Sequence, residues 1–375
     1  MTAFEGRVAP GFEGVADAFA GTLEGSSGGA AFAAVADGEV VVDVWGGAAD
    51  AEASTPWAED TIAVLFSGTK GLVATCMLLL VERGLLELDA PVARYWPEFA
   101  AAGKDGVLVR HVLSHTAGVP GLRGGFSLDD MLDGRRMAAR VAAEEPLWPP
   151  GTRLAYHAFT YGWICGELIR RVDGRSAGRF LAEEVAGPLG LELWIGLPPG
   201  LEPRVATLVR SPEYGVTYLG EGVEPRLEWL YGEVLWASRW NEPSFHEPEI
   251  PGGNGIGTAR SVARLYGCLA RGGEVDGVRL LSPSTVALAG REFSRDRCAV
   301  TRRPYAFGAG FELQTEQRPF GPVEDAFGHT GSGGSTHGAW PSRRVGFSYV
   351  MSELRTEGED DRGPRVLAAL ADAVS

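Results

Sequence analysis

Three features of the 375-residue chain predict an α+β protein: strand-like runs at both ends, helical segments between them, and one very apolar helix near the start. The expected architecture is an α/β sandwich. Its sheet joins the N- and C-terminal parts, helices flank it, and a mostly helical domain is inserted. The corresponding division is 1–89 for the first sheet-and-helix part, 90–254 for the helical insertion and 255–375 for the second sheet-and-helix part.

Each element has a local reason. Phe12, Val15, Phe19 and Leu23 recur at helical spacing over 11–24. GGAAFAAVADGEVVVDVWGG follows, two β-rich runs around Asp37-Gly38, a dipeptide suited to a tight hairpin turn. LFSGTKGLVATCMLLLVERG, residues 65–84, reads as a core helix that Gly84 stops. Phe159 to Val172 and residues 176–190 are further helices, the first ended by Asp173-Gly174. The stretch 195–250 is rich in Pro, Gly and aromatic residues, Trp236 among them, and reads as loops and short helices over a site or as a second core. PGGNGIGTARSVARLY turns through glycines into a helix. From Tyr305 onward strands predominate until PRVLAALADAV closes the chain as a helix.

Composition narrows the function. A net charge of −15 with no basic cluster argues against nucleic acid and anionic membranes as partners. No segment has the apolar length of a membrane span, and the first residues lack the pattern of a secretory signal, so a cytoplasmic protein is expected. Cys76, Cys165, Cys268 and Cys298 are far apart and read as reduced, buried thiols; neither metal nor cofactor is expected. His111 and His115 are four apart but lack the glutamate of H-E-x-x-H, and read as structural.

The chemistry concentrates at Ser67 and Lys70. Their S-x-x-K spacing puts hydroxyl and amine on one helix face, close enough to share a proton. A serine hydroxyl needs an adjacent base, and a lysine supplies one when burial drains its charge. By chance a chain of this length contains about one such match, so the motif gains weight only from its company.

That company is SGTK at 67–70, LSHTAGVPG at 113–121, PGTRLAYHAFTYGWICGELIRRVDGRS at 150–176, GGNGIGTARSVARLY at 252–266 and FGHTGSGGS at 327–335. In this order the segments resemble the serine β-lactamase and penicillin-binding-protein superfamily, and most of all its class C-like esterase branch, the family VIII carboxylesterases and related hydrolases or acyltransferases. The resemblance spans nearly the whole chain. It implies a β-lactamase-like fold with an antiparallel sheet. It also implies Ser67 as nucleophile, Lys70 as its partner, Tyr156 of Tyr156-His157-Ala158 as proton shuttle, and His329-Thr330-Gly331 as the substrate-binding strand. By analogy, the backbone N–H groups of Ser67 and Ser332 form the oxyanion hole. Gly331, Gly333 and Gly334 suit a strand against which substrate lies directly. Two departures matter. Ala158 replaces the family's asparagine, and His329 replaces its lysine, a poor fixed cation near pH 7. Both count against β-lactam and peptide substrates.

Around this core, His157 either lines the site or packs, and His337 either edges the substrate pocket or ends its strand. The expected activity is hydrolysis of small esters through an acyl-enzyme on Ser67. The alternatives are an acyl or amide transferase using the same intermediate, a β-lactamase or D-aminopeptidase-like amidase, and a non-catalytic binding module. The expected partner is a small-molecule ester or amide.

Overall fold

The computed structural model describes residues 4–212, 214, 230, 238–356 and 359–375. Among them a ten-stranded sheet dominates. Its strands are β1 (Phe4–Val8), β2 (Gly29–Ala36), β3 (Glu39–Asp50), β4 (Thr55–Pro56), β5 (Ser294–Arg297), β6 (Pro304–Phe307), β7 (Glu312–Leu313), β8 (Phe327–Thr330), β9 (Thr336–Trp340) and β10 (Val345–Met351). The order is β1-β3-β2-β10-β9-β8-β7-β6-β5, with β4 on β3, and every pair is antiparallel. The N- and C-terminal parts meet where β2 pairs with β10.

β2 explains why a run of small residues forms the centre of the sheet. Ala31, Ala33 and Val35 face one core, and Ala30, Phe32 and Ala34 face the other, so the strand is buried on both sides. One face carries α1 (Glu13–Leu23) and α5 (Arg362–Ala373). The other carries α2 (Thr69–Glu82), α3 (Thr160–Asp173) and α4 (Ala259–Ala270). α4 crosses β10 at Gly346, where a Cβ would collide with the backbone of Gly267, so the two backbones meet without side chains between them. The predicted hairpin turn is present, with Asp37 and Gly38 both at positive φ.

Two sheet strands carry no apolar alternation. β1 (FEGRV) and β5 (SRDR) are the outermost strands, mostly exposed and polar, the usual way an edge avoids pairing with another chain. The segment predicted as one helix over 176–190 is two short α-helical pieces joined by a π-helical stretch, Ala182–Ala186. Among the described residues no helix is long and apolar enough to cross a membrane. Of the aromatic stretch at 195–250, Trp236 lies outside the described residues; Trp240 and Phe245 are within them, on the short helices Ser238–Asn241 and Pro243–His246.

Every residue of α2 from Thr69 to Leu80 is buried. At about 2 kcal/mol for each large apolar side chain removed from water, Leu72, Leu78 and Leu80 alone hold the helix firmly. A small three-stranded sheet of Ala63–Val64, Gly255–Gly257 and Leu193–Ile195 ties the segment before α2 to the glycine-rich loop before α4. This seam assembles the site.

Candidate active site

Ser67 lies in a 3-10 turn, Phe66–Gly68, that leads into α2. The turn is strained. Phe66 has φ +47, a left-handed conformation that costs an L-residue on the order of 1–2 kcal/mol. Its surroundings hold it there: the Thr69 hydroxyl donates to the Phe66 carbonyl at 2.5 Å, and the Trp240 ring packs edge-on at 5.3 Å. Gly68 is required because a Cβ would come within 2.5 Å of the His337 ring.

Lys70 Nζ lies 3.1 Å from Ser67 Oγ and donates to the Gly252 carbonyl at 2.7 Å. The side chain is 0% exposed, and burial lowers its pKa to about 7, against opposing contributions from Cys165 and Glu312. An amine with that pKa is half neutral at neutral pH. With one N–H fixed on Gly252, its lone pair can be turned to Ser67, which is what a general base needs. Gly252 is held against α3: a Cβ on Gly162 would strike its backbone nitrogen. Asn254 shapes the same loop, accepting from the Ile250 N–H and donating to the Phe245 and Pro248 carbonyls. The Gly255 N–H then donates to Thr69 Oγ1 at 2.7 Å.

The Tyr156 ring lies 4.9 Å from Lys70 Nζ, stacked on Tyr305 at 5.5 Å and against His115 at 4.9 Å. Its backbone N–H donates to Cys298 Sγ at 3.2 Å. Ser67, Lys70 and Tyr156 are thus brought together, with the His329 ring 6.1 Å from that of Tyr156.

His329 is buried, and its Nδ1 bonds the Thr330 carbonyl at 2.7 Å. Burial, and then the nearby Lys70, push its pKa down to about 3, so it is neutral. The Thr330 hydroxyl and N–H both donate to one oxygen of the buried Glu312, at 3.0 and 3.2 Å. Thr330 and Gly331 also wall a cavity of about 360 Å³ shared with Arg303, Tyr305 and Ser335. Ser332 follows in the β8–β9 turn, half-buried.

Other expected positions are corrected. His157 does not present its ring to a ligand: it is buried, with Nδ1 on the Ala155 carbonyl at 2.6 Å and Nε2 accepting from the Val119 N–H at 3.3 Å. His337 does not edge a pocket either. It is 0% exposed, bonded to Ser348 Oγ at 2.8 Å, and packs under the nucleophile turn at Gly68. The glycines after β8 answer to the chain itself. A Cβ on Gly331 would strike Ser335 and the Leu65 carbonyl, and Gly333, at φ +83, would strike Leu354.

Gly252, Glu312, His115 and Cys298 are the residues that sequence reasoning did not place in the site. Gly252 acts through its carbonyl, which no residue type advertises. Glu312 sits in an alternating FEL run, where a charge reads as solvent-facing. His115, at φ +58, accepts the His157 N–H on Nδ1 at 2.9 Å and supports Tyr156 from below. Among the described residues no cluster of His, Cys, Asp or Glu is placed to hold a metal ion.

Comparison with known proteins gives the family. The esterase/β-lactamase LipL of Mycobacterium tuberculosis is 38% identical over 360 residues, covering 93% of this chain and 83% of its own. A penicillin-binding protein homologue from Caulobacter crescentus superposes with a TM-score of 0.92 at 39% identity, covering 99% of this chain and 100% of its own. A family VIII carboxylesterase superposes with a TM-score of 0.91 at 38% identity, with 99% and 100% covered. Residues 12–372 match the Beta-lactamase family, and the chain belongs to it.

Proposed function

We propose that this protein is a serine carboxylesterase that cleaves small esters through an acyl-enzyme on Ser67. The observation that carries the reading is the buried Lys70 amine, 3.1 Å from Ser67 Oγ and with its pKa lowered to about 7. Ser67 Oγ attacks the ester carbonyl, and its proton passes to neutral Lys70. The developing oxyanion is received by the backbone N–H groups of Ser67 and Ser332, a contribution typically worth about 3–4 kcal/mol per donor. As the tetrahedral intermediate collapses, the C–O bond to the alcohol breaks. The proton held on Lys70 and Tyr156 goes to the departing oxygen. Water, deprotonated by the same pair, then attacks the acyl carbonyl and releases the acid, and Ser67 recovers its proton.

Ester rather than lactam or peptide substrates are supported by Ala158, which has no amide to hold a substrate amide, and by His329, which is neutral where a carboxylate would need a cation. The name of one similar structure, a family VIII carboxylesterase, supports the same reading, whereas esterase/β-lactamase LipL names both activities. Ser67→Ala is expected to lower hydrolysis of 4-nitrophenyl butyrate by about 10³-fold or more. It should also abolish the mass adduct left by a fluorophosphonate. Retention of full activity or of the adduct would refute the assignment.

A further inference from the structure

The turn that carries Ser332 is gripped from the C-terminal side by one ion pair, whose Asp360 also lines the cavity walled by Thr330 and Gly331. Arg362 opens α5 and is 1% exposed; Asp360 is half-buried as a residue, with its side chain 5% exposed. The guanidinium meets the carboxylate through Nε at 2.8 Å and Nη2 at 2.6 Å. The same Nη2 donates to the Gly333 carbonyl and to the Glu353 carbonyl, each at 3.0 Å. The Asp360 carboxylate fills the place where a Cβ of Gly334 would stand. The remaining bonds around the turn are few: Gly331 N–H to the Ser335 carbonyl, Gly334 N–H to Gly331 and Arg355 N–H to Gly333.

We propose that Arg362, held by Asp360, is a positioning residue for the oxyanion hole, fixing the 331–335 turn so that the Ser332 N–H keeps its aim. The inference rests on the assignment of that N–H as an oxyanion donor. The logic is geometric. The Ser332 N–H belongs to the 331–332 peptide, two peptides before the 333–334 peptide whose carbonyl Arg362 holds. Gly333 and Gly334 both have positive φ, +83 and +118, and neither has a side chain to stiffen the backbone there. A glycine turn of this kind keeps a fixed donor only if something outside it removes its freedom. A planar guanidinium with several N–H groups can hold two carbonyls and a carboxylate at once, which an ammonium cannot do in the same geometry.

The test compares wild type, Arg362→Lys, Asp360→Asn and Ser67→Ala by thermal denaturation and by kinetics on 4-nitrophenyl butyrate. Binding of a phenylboronic acid, whose tetrahedral adduct on Ser67 occupies the oxyanion hole, provides the third readout. In folded Arg362→Lys, kcat is expected to fall about 10- to 100-fold, with KM within about threefold of wild type and boronate affinity falling in parallel. Asp360→Asn, which keeps the shape of the carboxylate, should move kcat and boronate affinity the same way by about 3- to 10-fold; it also serves if Arg362→Lys does not fold. Wild-type kcat and boronate affinity in a folded variant, even one with a lower melting temperature, would overturn the proposal and leave Arg362 a purely structural group. Hydrolysis by wild type that survives Ser67→Ala would instead overturn the catalytic assignment, and this inference with it.

Discussion

Lys70 and His329 both lie beside the Tyr156 ring, at 4.9 and 6.1 Å from its centroid, both almost fully buried, and burial gives them opposite chemistry. Removal from water disfavours the charged form of each. Lys70 starts from 10.5 and falls to about 7, so its neutral form becomes available at the pH of a cell. His329 starts from 6.5 and falls to about 3, so it leaves the titratable range altogether. One physical effect leaves the lysine able to accept a proton near neutral pH and the histidine a neutral hydrogen-bonding group. The starting pKa decides which, and the hydrogen bonds follow: Lys70 reaches Ser67, whereas His329 turns to the adjacent Thr330 carbonyl.

The sharpest way to break this contrast is Lys70→Arg. The guanidinium keeps a hydrogen-bonding head on a long side chain but is permanently charged and does not give up its proton, so it retains the cationic form of the residue while removing the base. The expected loss in kcat is about 10³- to 10⁴-fold, measured by initial rates on a nitrophenyl ester at pH 7.5. A rate within tenfold of wild type would mean that Lys70 contributes charge and not proton transfer.

The pH dependence follows with its sign. The proposed mechanism requires the neutral amine, so kcat/KM should be low in acid and rise through an apparent pKa near 7. Stability moves the same way. Between about pH 7 and 10.5 the unfolded chain carries a proton on Lys70 that the folded chain lacks. Unfolding is then opposed more strongly as pH rises, by at most about 1.4 kcal/mol per pH unit from this group. Urea denaturation at pH 7.5 and pH 9 should show a steeper gain for wild type than for Lys70→Met. Equal slopes would contradict the lowered pKa.

His329→Ala tests the other half of the contrast. It removes an uncharged group and its bond to Thr330, a net contribution of about 1 kcal/mol, so a loss near fivefold in kcat/KM is expected. The pH inflection should stay in place. A fall of a hundredfold, or a displaced inflection, would show that the histidine handles protons.

What was legible in the sequence divides along the same physical line. The S-x-x-K helix, the Asp37-Gly38 hairpin and the closing helix were readable because each is written in local pattern: apolar period, turn dipeptide, glycine stop. The strands β1 and β5 were not, because an edge strand is selected for polarity and has no alternation to find. Ser67 and Lys70 were readable as a motif by residue type and spacing, and Tyr156 only through the family resemblance of the segment around it. The partner that completes Lys70 is a main-chain carbonyl, at Gly252, and leaves no such mark. His157 and His337 misled for the converse reason: a histidine beside a motif carries the same letter whether its nitrogens face a ligand or, as here, the Ala155 carbonyl and Ser348.

Glu312 connects the two halves, and its replacement gives the smallest and most discriminating effect. Its buried carboxylate accepts both Thr330 donors on one oxygen and raises the pKa of Lys70 against the larger effect of burial. Glu312→Gln leaves a carboxamide oxygen able to accept those two bonds, so β8 should keep its place. It removes the negative charge, however, and with it a stabilisation of the protonated amine. The apparent pKa of kcat/KM should therefore move to lower pH, by less than about one unit, raising the ratio of the rate at pH 6 to that at pH 8. Maximal kcat should change little, because the neutral amine that acts as base is the same in both proteins. An inflection displaced upward would mean that the loss of Glu312 opens the site to water and resolvates Lys70. The effect of burial, not the carboxylate, would then be what the substitution had altered.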